Sequence, residues 1–66
     1  MKPDKLARMA NDIAHNLAAL GDAAPAAIAE HLRHFWTPRM RKELLQLIQA
    51  GGASLEPTVV EAARAL

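Results

Sequence analysis

Apolar positions recur with helical spacing in four stretches, and each stretch has a proline at or near its start. Leu6, Met9, Ala10, Ile13, Leu17 and Leu20 fall within an arc of about 100° when wound as a helix, and Lys5, Arg8, Asp12, His15 and Asn16 lie off it. Pro3 opens this stretch, since a first-turn amide has no intrahelical acceptor to lose, and Gly21 is the expected stop. The pattern predicts a helix from Pro3 to about Leu20. A second stretch has Asp22 as candidate cap, Pro25 in its first turn, and a stripe of Ile28, Leu32 and Phe35 with Trp36 at the edge. It must end near Trp36, because the residue before Pro38 is pushed out of helical geometry.

Thr37-Pro38 reads as cap and first residue of a third helix carrying Met40, Leu44, Leu47 and Ile48, with Leu45 widening the arc. Gly51-Gly52 terminates it. Ser54, Leu55, Glu56 and Pro57 open a short fourth helix that turns Val59, Ala62, Ala63 and Leu66 inward. No segment alternates with period two, so no strand is expected. The fold class that follows is all-α: a small compact bundle of four short helices, one domain over residues 1–66.

Composition makes this bundle marginal by itself. Of the 66 residues 52% are hydrophobic, but 15 are alanine, which favours helix and buries little area. Neither cysteine nor a Cys/His cluster is available to staple so small a core, which leaves association as the remaining support. The chain is therefore expected to dock on a partner, or to self-associate when isolated. The lack of cysteine fits a cytoplasmic setting. Charges run through the first 20 residues, and no stretch has the length of a membrane span.

Candidate chemistry is sparse. Ser54 is the sole serine, and Thr37 and Thr58 are the only threonines; Ser54 and Thr37 are better placed as helix caps than as nucleophiles. Gly51-Gly52 follows a helix, whereas phosphate cradles precede one. His31 and His34 share a helix face, but a metal would need further ligands, with only Glu30 or distant His15 to supply them. They read better as polar cover at a helix C-terminus. Asp12, Glu43 and Glu61 fall on solvated positions. Nothing here makes an enzyme: no catalytic, cofactor-binding or metal-binding residue is assigned.

One segment stands apart. His31 to Lys42, HLRHFWTPRMRK, holds Arg33, Arg39, Arg41 and Lys42, both aromatic residues and no acid, while the rest of the chain has four cations and seven acids. Phe35 is expected in the core. Trp36, pointing about 100° away, is the candidate contact residue, because an alanine-rich core has little room for two rings. An aromatic anchor among arginines suits an acidic patch on a partner protein. A helix-turn-helix nucleic-acid binder is a competing reading, against which a net charge of +1 and the absence of Asn, Gln or Ser early in the third helix argue.

The run Phe35-Trp36-Thr37-Pro38-Arg39-Met40-Arg41 resembles the most recognisable stretch of the delta subunits of soluble NAD-dependent formate dehydrogenases that contain molybdenum or tungsten. Pro3-Asp4-Lys5-Leu6, Met9-Ala10-Asn11 and Ile13 match the opening helix of that family. Ile28, His31 and Leu32 match the approach to the aromatic pair, and Gly51-Gly52, Leu55 and Pro57 match the closing turn and last helix. Thr37 stands where the family often has aspartate, and both can cap a helix. The resemblance implies a subunit without a redox cofactor of its own, associated with the catalytic (alpha) subunit and supporting its assembly or stability. The alternative it leaves open is an assembly factor whose basic segment transiently meets the phosphates of that subunit's molybdopterin cofactor. The motif positions carried over to this chain are Phe35, Trp36, Pro38, Arg39, Met40 and Arg41. Among the partner-binding candidates, Trp36, Arg39 and Arg41 are expected to face the partner first, with Phe35 and Met40 rather holding the helix pair together.

Overall fold

Every proline sits in the first turn of a helix. In a computed structural model describing residues 1–66, α1 spans Pro3–Leu17, α2 Ala24–Phe35, α3 Pro38–Gln49 and α4 Pro57–Ala63. Three helices of 12 to 15 residues and a seven-residue fourth pack into an all-α unit of 28 × 23 × 18 Å. No helix is long and apolar enough to cross a membrane.

α2 lies at the centre, covered mainly by α4 and also by α1. Leu6, Ile28, Leu32, Leu44 and Val59 are the largest side chains fully out of water, with alanines from α1, α2 and α4 filling the gaps between them. Methyl-sized side chains let the helices approach closely but remove little apolar area from water per residue. Met9, Ile13, Leu17, Met40, Leu47, Ile48 and Leu66 are half-buried around this centre. No buried side-chain polar atom lacks a partner.

Several expectations are corrected at the helix ends. α1 stops at Leu17, not Leu20, and a 3₁₀ segment, Ala18–Ala23, carries the chain to α2. Leu20 thereby leaves the helical arc and is half-exposed. Gly21, at φ 59° and ψ −124°, makes the break. Asp22 does not cap α2: the cap position is Ala23, with no side-chain bond, and the Ala24 amide donates to the Gly21 carbonyl instead. A backbone turn does there what a cap side chain would do.

Ser54 does not cap α4 either. Glu56 holds the cap position, and the Asn11 side chain spans the junction. Asn11 Nδ2 donates to the Ser54 carbonyl at 2.8 Å, and the Glu56 amide donates to Asn11 Oδ1 at 2.9 Å. His15 Nε2 adds a 2.8 Å contact with Glu56 Oε1, joining α1 to the start of α4 a second time. The α3 terminator is as expected. The Gly52 amide donates to the Leu47 carbonyl and the Gly51 amide to that of Ile48, the bond pair of a Schellman stop, with both glycines at positive φ.

Candidate docking site at the α2–α3 corner

Only Trp36 and Thr37 separate α2 from α3, and each has a defined task. Thr37 is extended, as a residue before proline must be, and its Oγ1 accepts from the Met40 amide at 3.1 Å. Trp36 has already left the helix, at φ −92° and ψ 145°. Its side chain therefore does not continue the helical wheel of α2.

This reverses the expected roles of the two rings. Trp36 is 6% exposed and belongs to the core cluster, whereas Phe35 is 74% exposed. The alanine-rich centre does admit one ring only, but the extended backbone at 36 sends the indole inward and leaves the last helical residue outside. Phe35 lies against His31, with ring centroids 4.7 Å apart and planes at 35°, and the His34 ring is 6.5 Å away. An exposed phenyl carried on a half-buried imidazole is a raised apolar knob.

Arg41 is corrected as well. Its Nη1 donates to the carbonyls of Trp36 at 2.6 Å, Leu32 at 3.2 Å and Arg33 at 3.3 Å. These carbonyls close α2, where the helix dipole is negative; that of Leu32 also accepts from the Trp36 amide. The guanidinium is thus a clamp from α3 onto the end of α2, not an exposed contact. Met40 is half-buried against the core.

The other cations of the segment differ in how firmly they are held. Arg33 donates to Glu30 Oε2 at 3.1 Å and to the Ala65 carbonyl at 2.8 Å, tying α2 to the end of the chain. Arg39 is 89% exposed and lies 3.5 Å from Glu43 Oε1 one turn on. Lys42 is exposed and has no ion-pair partner. His34 Nε2 sits 2.6 Å from Glu30 Oε1. That hydrogen bond first, the imidazole's charge next and Arg33 after that hold the Glu30 carboxyl below its ordinary range. Below the corner, Pro38, Arg39, Lys42, Glu43 and Gln46 line a broad open groove with Met1.

Sequence reasoning missed Asn11 and the clamping role of Arg41. Asn11 did carry a signal, since asparagine inside a helix is disfavoured without some task for its amide. Arg41 carried none: its acceptors are backbone oxygens that every residue has.

The corner thus defines an all-helical domain with a buried tryptophan, a clamped helix junction and an exposed phenylalanine. The chain belongs to the FdsD family, described as the NADH-dependent formate dehydrogenase delta subunit, whose family model matches residues 5–63. The match takes in all of α2, α3 and α4 and most of α1. No curated protein and no solved structure matches the chain.

Proposed function

We propose that this chain is a non-catalytic accessory subunit that docks on the catalytic (alpha) subunit of a formate dehydrogenase and supports its assembly or stability. It works in the cytoplasm and holds no redox cofactor of its own. Phe35 and Arg39 face the partner. Trp36, Met40 and Arg41 act from beneath, fixing the corner on which the other two stand. The observation that carries this reading is the 74% exposure of Phe35, one of only two aromatic residues in a chain whose core is short of large side chains. A ring of that size left in water at a rigid corner costs solvation that binding recovers. The family match supplies the partner's class.

The nucleic-acid reading is weaker for want of cations: with Arg41 turned onto α2, that segment offers phosphates Arg39 and Lys42 at the start of α3. A tagged chain expressed in its source organism is expected to retrieve the catalytic subunit in stoichiometric yield. Its absence from the washed eluate, with the tagged chain folded and abundant, would overturn the proposal.

A further inference from the structure

The same segment that reads as strongly basic in the sequence has three of its four cations engaged within the fold. Its four cations are flanked by Glu30 and Glu43, so the surplus at the corner is 4 − 2 = +2. Arg41 faces three carbonyls at the negative end of α2, Arg33 is divided between Glu30 and the Ala65 carbonyl, and Arg39 is beside Glu43. Lys42 alone has no partner within the fold. Meanwhile the most exposed large apolar side chain of the molecule, Phe35, stands at the end of α2 against the rings of His31 and His34.

Resting on the docking role proposed above, we infer that the partner's side of the interface is an apolar slot without an acidic rim, which takes up the Phe35 ring with His31 at its edge. An acidic patch would have to compete with Glu30 and Glu43 for guanidiniums already engaged, and would bring its carboxylates against both of them. An apolar slot meets no such repulsion. It removes from water the one group at the corner that gains by leaving it. The corner needs no rearrangement to deliver the ring, because the Trp36 burial, the Thr37 cap and the Arg41 clamp already hold it in place.

The test is the affinity of the purified chain for the catalytic subunit isolated without it, read across salt and across variants. Kd is expected to change by less than about threefold between roughly 0.05 and 0.5 M salt. Phe35→Ala is expected to raise Kd by at least about tenfold, and Arg39→Ala and Lys42→Ala by less than about twofold. An unchanged Trp36 emission maximum shows that the Phe35 variant keeps its corner. Phe35→Leu, which retains apolar volume, is expected to bind between the parent and Phe35→Ala. Salt-steep binding, or a greater loss from Arg39→Ala than from Phe35→Ala, overturns the apolar slot and leaves the docking role standing. So does a Phe35→Ala variant that binds like the parent. Failure of the parent chain to bind at any salt overturns both.

Discussion

The two junctions on either side of α2 turn the chain by different physical means. Between α2 and α3 the turn takes two residues and is held by side chains: an indole in the core, a threonine cap and a guanidinium on three carbonyls. Between α1 and α2 it takes six residues, none of them buried, with no side-chain cap and with Leu20 half-exposed. Its direction comes from Gly21, whose φ of 59° with ψ of −124° is open to glycine and strained for other residues. One junction is determined by tertiary contacts, the other by local backbone freedom. The first is the one that carries the exposed Phe35 ring, and a ring on a corner fixed beforehand would lose little entropy on docking.

Removing the indole tests this comparison hardest. Trp36→Ala leaves a cavity in a core with few large side chains, at a cost of about 3–5 kcal/mol, which approaches the whole stability of so small a domain. Because the only tryptophan is lost, the measurement is helical circular dichroism during urea or thermal unfolding. A variant that melts within a few degrees of the parent would show that the corner holds without its ring.

Arg41→Ala comes next. Three carbonyls at the end of α2 lose a charged donor, for about 2 kcal/mol, and Trp36 emission shifts to the red as the corner loosens. Arg41→Lys restores only part of this, since an ammonium is more strongly hydrated than a guanidinium and loses more on entering a part-buried cluster of carbonyls. A full rescue by lysine would reduce the clamp to a charge effect at the helix terminus.

The smallest effect belongs to the other junction. An added Cβ at Gly21 meets no atom within 4 Å, so the cost of Gly21→Ala is backbone strain alone, about 1–2 kcal/mol. The urea midpoint falls accordingly while Trp36 emission in the folded protein stays where it was. A shift in that emission would mean that the two junctions are coupled through α2, against the separation drawn between them.

Much of this architecture was legible from residue order because its causes are local. Four prolines mark four helix starts, Thr37 caps α3, and Gly51-Gly52 stops it, each through backbone geometry confined to a few neighbouring residues. The segment from His31 to Lys42 likewise stood out by composition alone. The errors fell where a helical wheel was carried past the end of its helix. Leu20 was placed inward on a helix that ends at Leu17, and Trp36 was placed outward from a helix it has already left.

By itself, then, the sequence determined the all-helical class and the helix starts, since periodicity and turn chemistry act over a few residues. Which ring enters the core, and where the arginines spend their charge, was decided only by tertiary structure. Those outcomes depend on space and acceptors brought together from separate elements: room within the shared core for one indole, and backbone carbonyls of α2 within reach of a side chain on α3. Neither a cavity's shape nor a carbonyl's position is written in the identity of any one residue.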